Sequence, residues 1–338
     1  MVLAFLILAI VLVAVFTFLN GFRDVSAAVA LAVRTNALTP SIAVLLAAMF
    51  NALGVLISVP FALAISQSWV VLPPGLNGVT VAVSTLASAI LWNVFTWWRG
   101  IPSSSTHAIV GGLTGAALAS TLLGGGVVAD VGQSLWVLVL APLLLSPIVA
   151  FAGAYLLVVP VTWVVRHMQP SVVNRRLRHA QAVSAAAVAF GHGLQDGQRG
   201  IALSVLTLIA ADALPANGSS PVWVIVLVLV CMALGTLGGG WRISHTLGHR
   251  LVRIDPLRGF VAHLLSAVML FVGAIGLHLP FSTTHTVTAA TLGAGTNQSF
   301  STTNRSLVIR VLGYWLLTPV MCALLAFVLQ LAQSPLYR

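Results

Sequence analysis

Lysine and glutamate are both absent from this 338-residue chain, and charged residues of every kind make up only 6% of it. A soluble domain carries about a quarter charged residues, so the shortage excludes an ordinary water-facing surface. Without glutamate there is no His-Glu-x-x-His helix of the zinc-protease type. The two cysteines, Cys231 and Cys322, stand in separate apolar runs and read as small core residues, not as a disulfide or metal pair. Glycine triplets at 124–126 and 238–240 follow no strand and precede no lysine, which argues against a nucleotide loop. The five acids are Asp24, Asp130, Asp196, Asp212 and Asp255, against 15 arginines. That balance of +10 could suggest nucleic acid, but arginine-rich cytoplasmic loops of a membrane protein explain it better, and no nucleic-acid partner is expected.

What is present is apolar sequence, at 59% of the chain. Residues 1–19 and 37–98 carry no charge, and at roughly 20 residues per span the second run crosses a bilayer more than once. The first run lacks a basic start and a clear cleavage site, so it reads as a span and not a signal peptide. The expected fold is all-α, a polytopic protein of the plasma (inner) membrane with lipid as its surroundings. The most basic stretches, 166–178 and 242–258, are placed in the cytoplasm, and the arginine-free loops near Pro73, Asp130 and Asp212 outside. Threading the apolar runs between these anchors puts the N-terminus outside.

Two unlike motifs occur twice, in the same order. Gly21-Phe-Arg-Asp24 matches Gly193-Leu-Gln-Asp196, an offset of 196 − 24 = 172. Pro102-Ser-Ser-Ser-Thr-His107 matches Pro280-Phe-Ser-Thr-Thr-His285, an offset of 280 − 102 = 178. The arginine-derived path gives the two copies opposite orientations. Such an inverted-topology repeat, with broken helices, is a hallmark of secondary transporters that bind substrate near the midplane. The expected organisation is a first repeat over 1–165 with a re-entrant helical hairpin at 101–123, a cytoplasmic basic loop at 166–179, and a second repeat over 180–338 with a hairpin at 279–295.

Asp24 and Asp196 fall inside apolar runs, where an ionisable residue is costly and usually functional. The bland alternative is that each only pairs with a nearby arginine. Arg199, three residues on, can reach Asp196 on a helix, whereas Arg23, adjacent to Asp24, is expected to face elsewhere. Each Pro-Ser/Thr segment has the composition of a helix start and is followed by small residues that permit close packing. A helix beginning at midplane aims its free N–H groups and positive dipole end at one point, which suits an anion. The hydroxyls of Ser104, Ser105, Thr106, Ser282, Thr283 and Thr284 would add donors. The alternative is an ordinary capped helix end at the membrane surface. His107, His192 and His285 are candidate proton carriers, although a histidine in an apolar stretch is more often a hydrogen-bonded structural residue.

These residues resemble the inorganic phosphate transporter (PiT) family along nearly the whole chain. Asn20-Gly-Phe-Arg-Asp24 is similar to the family's N-G-x-N/H-D, and Ala189-Phe-Gly-His-Gly-Leu-Gln-Asp-Gly-Gln198 to its A-F-x-H-G-x-N-D-x-Q. The two P-x-S-[ST]-T-H segments look like its hairpin signatures. The resemblance implies movement of phosphate or metal phosphate with a cation, no catalysis and no resident cofactor or metal. It also implies that Asp24, Asp196, Asn20, Gln195 and Gln198 join the hairpin Ser/Thr residues at the site. Arg23, Ala27 and Gln195 depart from the pattern by replacing asparagines or, at 23, asparagine or histidine. Fewer amide oxygens weaken the case for sodium as coupling ion and favour H+. Other readings are a transporter of another oxyanion such as sulfate, or a membrane-embedded histidine metalloenzyme. A homodimer is compatible with all of this.

A single cysteine placed at Ser171 in a cysteine-free background is expected to be shielded from an impermeant thiol reagent in intact cells. Efficient labelling from outside would overturn the orientation and, with it, the inversion of the two halves.

Overall fold

A computed structural model describes residues 1–68, 71–125, 141–216, 218–277, 279–298 and 303–336. Asp130 lies outside the described residues. Among those described, eleven α-helices form the fold, and the only strand-like feature is an isolated bridge between Val252 and Thr303. In order they are α1 (Val2–Arg34), α2 (Pro40–Ser68), α3 (Leu76–Trp98), α4 (Ser105–Leu122), α5 (Ala141–Val165), α6 (Pro170–Ala210), α7 (Val222–Gly238), α8 (Trp241–His245, extended by a π turn over Thr246–Arg250), α9 (Pro256–Phe271, extended likewise over Val272–Gly276), α10 (Thr283–Thr296) and α11 (Arg305–Gln333).

Six of the helices are long and apolar enough to cross a membrane, and α7 with α8, bent by 53°, qualifies as a broken one. The bend follows from Gly239, whose φ of 59° is a left-handed conformation that a side chain disfavours. Helix α6 is less apolar, because Asp196, Arg199 and several glutamines lie within it, yet at 41 residues it reaches roughly 60 Å. Helix α10, with 14 residues, reaches only about 21 Å, short of a ~30 Å hydrocarbon core.

Two expectations need correction. The basic loop at 166–179 shrinks to a connection at 166–169, because Pro170 pre-sets the first turn of α6 and Arg175, Arg176 and Arg178 lie on that helix. Helix α6 therefore begins at 170, inside the stretch expected to be loop. Segments 101–123 and 279–295 each contain one helix, not two. The helix each folds back on is the one before it, since α3 packs on α4 and α9 on α10. Helix α3 stops at Trp98 because Gly100 turns with φ 65° and Pro102 cannot continue a helix.

The interior is polar for a bilayer protein, and the outside is apolar. Leu3, Ile7, Val11, Leu144, Ile148, Ile309, Leu316 and Val328 are exposed along α1, α5 and α11, while Asn51, Asn93, Gln181 and Gln330 are buried. With lipid outside, apolar exposure costs nothing, and buried amides and hydroxyls hold helices together. On α11, Gln330 Nε2 donates to Asn77 Oδ1 at 3.2 Å and Thr318 Oγ1 accepts from Trp92 Nε1 at 2.9 Å, tying that helix to α3.

The two halves exchange partners. Helix α2 packs on α6 and α7 on α1, while α4 packs on α11 and α10 on α5. Close backbone approaches between helices recur in matching pairs. A Cβ at Gly21 would lie 2.2 Å from the Met232 carbonyl, and one at Gly193 would lie 2.1 Å from that of Asn51. A Cβ at Gly115 would meet the Ala323 carbonyl at 1.9 Å, and one at Gly293 that of Phe151 at 2.1 Å. Here 293 − 115 = 178 and 323 − 151 = 172, the offsets of the two sequence motifs.

Gly115→Ala is expected to destabilise the protein by about 1–3 kcal/mol, since the obstacle is backbone and cannot rotate away. Gly313→Ala, with nothing within 4 Å of its Cβ, is expected to be neutral or to stabilise by up to about 1 kcal/mol. Denaturant unfolding in detergent would compare them; equal behaviour of the two would contradict the close α4–α11 packing.

Candidate functional site

The two hairpin tips meet the middles of α1 and α6. Ser104 and Ser282 are the N-caps of α4 and α10, each accepting a hydrogen bond from the backbone N–H three residues on, at His107 and His285, both at 3.2 Å. These two hydroxyl oxygens, expected in the anion set, are thus engaged as caps. The next hydroxyls point into the site. Ser105 Oγ donates to Asp24 Oδ2 at 2.9 Å, and Thr284 Oγ1 donates to Asp24 Oδ1 at 3.1 Å. One carboxylate on α1 therefore holds the first turns of both hairpin helices. Thr106 is buried in the same turn as Ser105, and Thr283 Oγ1 is buried without a partner.

Arg23 contradicts its expected orientation. It is fully buried, at 0% exposure, and turns toward hairpin 1. Nη2 donates to the Ser103 carbonyl at 2.8 Å and to Ser103 Oγ at 3.0 Å, Nη1 reaches Ser105 Oγ at 3.4 Å, and Nη2 stands 3.6 Å from Asp24 Oδ1. Adjacent helical residues do point apart, but the long arginine stem bends back toward the Asp24 carboxylate. Arg199 is the counterpart on α6. It is ion-paired with Asp196, and its Nη2 donates to the Phe281 carbonyl at 2.9 Å and to Gln195 Oε1 at 3.3 Å. Ser103 and Phe281 both stand one residue before the N-cap, so each guanidinium holds the same carbonyl of its own hairpin.

His192 lies one turn before Asp196, with Nε2 3.1 Å from Asp196 Oδ2 and Nδ1 3.0 Å from Asn51 Oδ1 on α2. Asn51 Nδ2 donates to Thr236 Oγ1 on α7 at 2.8 Å, and Thr236 Oγ1 donates in turn to the Met232 carbonyl at 2.8 Å. Ligand-type atoms of Asp24, His192 and Asp196 fall within 4.8 Å of one another. That spacing suits a cation, but Asp196 is already neutralised by Arg199 and Asp24 is held by two hydroxyls and Arg23. Gln195 Nε2 donates to the Leu279 carbonyl at 3.3 Å, which leads into hairpin 2. Asn20 Oδ1 and Gln198 Nε2 are buried without partners, as are the Nε atoms of Arg23 and Arg199.

His107 and His285 face one another across the hairpin tips, with ring centroids 4.7 Å apart, and His285 stacks on Trp315 at 3.8 Å. Both histidines also line a cavity of about 560 Å³ between α5 and α11, otherwise walled by apolar residues. Trp315 Nε1 donates to the Pro102 carbonyl at 2.9 Å, fixing hairpin 1 to α11. The Arg199–Asp196 pairing was legible from the i,i+3 spacing, whereas sequence reasoning missed the hairpin contact of Arg199 and the roles of Arg23, Asn51, Thr236 and Trp315. The available signal for the arginines was their depth in apolar sequence. Asn51 and Trp315 gave none, because amides and tryptophans are ordinary in transmembrane helices.

The profile of the Phosphate transporter family matches residues 20–177 and 166–326. The "Probable low-affinity inorganic phosphate transporter" of Bacillus subtilis is 35% identical over 313 residues, covering 92% of this chain and 92% of that protein. A protein of the same description from Rhizobium meliloti is 36% identical over 313 residues, 92% of this chain and 91% of its own. Among solved structures, "The sodium-dependent phosphate transporter" superposes with a TM-score of 0.87 at 20% identity, covering 99% of this chain and 100% of that one. At that identity the likeness is one of fold.

Removing one member of a buried ion pair leaves the other uncompensated, at a cost of about 3–5 kcal/mol. Asp196→Asn is therefore expected to lower the unfolding temperature sharply, and a second change, Arg199→Gln, to restore at least half of the loss. Additive losses in the double variant would show that the pair is not coupled.

Proposed function

The chain belongs to the phosphate transporter family, and from that membership we propose that it is a secondary active transporter of inorganic phosphate, driven by protons, working by alternating access at the site between the hairpin tips. It is a multi-pass membrane transporter and not an enzyme. The halves are taken as inverted repeats with re-entrant hairpins, with the N-terminus outside and the arginine-rich ends cytoplasmic. The exchanged packing partners and the repeated glycine contacts support that arrangement.

The observation that carries proton coupling is a chain of hydrogen bonds whose directions are fixed from one end. The Met232 carbonyl can only accept, so Thr236 donates to it and accepts from Asn51 Nδ2. Asn51 then presents Oδ1, which can only accept, so His192 Nδ1 must carry a hydrogen. In a neutral imidazole Nε2 is then a bare acceptor, 3.1 Å from Asp196 Oδ2, another acceptor. Two facing lone pairs repel, so a further proton belongs between them. His192 and Asp196 thus form a proton-loading pair on α6, while His107 and His285 act as packed structural partners at the hairpin tips.

Phosphate is assigned to the first turns of α4 and α10, where N–H groups and the positive helix ends converge. Ser105, Thr283, Thr284 and Gln198 supply donors; Thr283 Oγ1 and Gln198 Nε2 have no partner of their own. The hydroxyls of Ser105 and Thr284 now rest on Asp24, so an arriving oxyanion competes with that carboxylate for them. Protonated phosphate can also donate back to Asp24, which sulfate, carrying no proton at neutral pH, cannot do. What supports phosphate in place of metal phosphate is Arg199, which already supplies a positive charge beside Asp196.

In proteoliposomes, an inward proton gradient without sodium is expected to drive phosphate accumulation. Ser105→Ala combined with Thr283→Val should lower phosphate affinity by at least tenfold, or about 1.4 kcal/mol, and His192→Gln should leave exchange while abolishing accumulation. Unchanged binding in the first variant would place the anion elsewhere, and full accumulation in the second would remove His192 from coupling.

A further inference from the structure

Arg23 and Arg199 sit in surroundings normally built for a metal cation. The guanidinium of Arg23 is met by the Ser103 carbonyl, the hydroxyls of Ser103 and Ser105, and an Asp24 carboxylate oxygen. That of Arg199 is met by the Phe281 carbonyl, the Gln195 amide oxygen and the Asp196 carboxylate. Backbone carbonyls, hydroxyls, amide oxygens and one carboxylate are the ligand types that hard cations take. The set is repeated in both halves, each built on the carbonyl one residue before the hairpin N-cap. Both side chains are buried, and each provides a full positive charge that never leaves the protein.

We propose that Arg23 and Arg199 are tethered cations standing where a transported sodium ion would otherwise bridge the helix carboxylate to the hairpin carbonyl, and that they set the choice of coupling ion. This inference rests on the transport reading above and adds the reason for its coupling ion. A mobile cation at such a position neutralises Asp24 or Asp196 only when bound, so its binding is linked to that of the anion. A guanidinium neutralises the carboxylate permanently and ties the hairpin to the helix in the same step. Sodium then has neither a vacant oxygen set nor an unpaired carboxylate to bind. The only variable charge left at the site is a proton, and coupling passes to it.

The prediction is a gain of function. Wild-type protein in detergent should show the same unfolding temperature and phosphate affinity in sodium as in choline. Arg23→Asn removes the guanidinium, frees its oxygen acceptors and adds an amide oxygen. It should acquire a sodium-specific rise in unfolding temperature and a sodium-dependent increase in phosphate affinity of roughly tenfold. Arg199→Asn provides the same test in the other half should the first variant fail to fold, and Arg23→Lys, which keeps the charge, should remain indifferent to sodium. Sodium-driven phosphate uptake by wild-type proteoliposomes would overturn the inference while leaving the transport reading intact. So would an Arg23→Asn protein that binds phosphate but gains no response to sodium. Wild-type vesicles that take up no phosphate under either gradient would instead contradict the transport reading itself.

Discussion

A charge buried in an apolar interior must be neutralised where it stands, because taking an ion out of water costs several kcal/mol even after the protein relaxes. Four such charges lie at the centre of this protein, Arg23, Asp24, Asp196 and Arg199, all nearly inaccessible. Their mutual neutralisation dictates the geometry around them. Arg23 cannot satisfy its fork on Asp24 alone, so it reaches the carbonyl and hydroxyl of Ser103. Arg199 completes its own set with Gln195 and Phe281. Asp24 uses its remaining capacity on Ser105 and Thr284. Both hairpin tips are thereby fastened to α1 and α6 by charge, not by shape alone.

The same fastening gathers the polar ties between the hairpins and the α1–α6 pair at the hairpin tips. Each hairpin begins with a capped, dipolar helix end, and α1 and α6 hold the first at Ser103 and Ser105 and the second at Leu279, Phe281 and Thr284. The glycines of α4 and α10 press against the backbones of α11 and α5, so hairpin and partner helix behave as one packed body. In the proposed transport cycle, phosphate competing with Asp24 for the two hydroxyls and a proton arriving at His192 and Asp196 act on a polar joint between these bodies and the α1–α6 pair.

Much of this was legible in the sequence. Charge scarcity and apolar runs gave the class, and two motifs at nearly equal offsets marked Asp24, Asp196 and the hairpin starts. Their spacing survives as spatial pairing, down to the Gly115 and Gly293 contacts. What stayed hidden depends on tertiary reach. A helical wheel sends Arg23 away from Asp24, since the wheel ignores a stem long enough to fold back. Arginines at 175–178 look like loop in a one-dimensional charge map, yet Pro170 starts a helix ahead of them. Each hairpin's second arm was obscured because α3 and α9 are apolar enough to pass as plain spans. Asn51 and Thr236, which orient His192, lie on helices from opposite halves, and no local pattern links them.

The account is tested most directly by a structure of the protein with phosphate bound. It predicts the anion at the first turns of α4 and α10, within hydrogen-bonding distance of Ser105, Thr283 and Thr284, with the Ser105 and Thr284 hydroxyls turned from Asp24 toward it and Arg23 and Arg199 still on their hairpin carbonyls. An anion bound away from both tips, with those two hydroxyls still on Asp24, would contradict it.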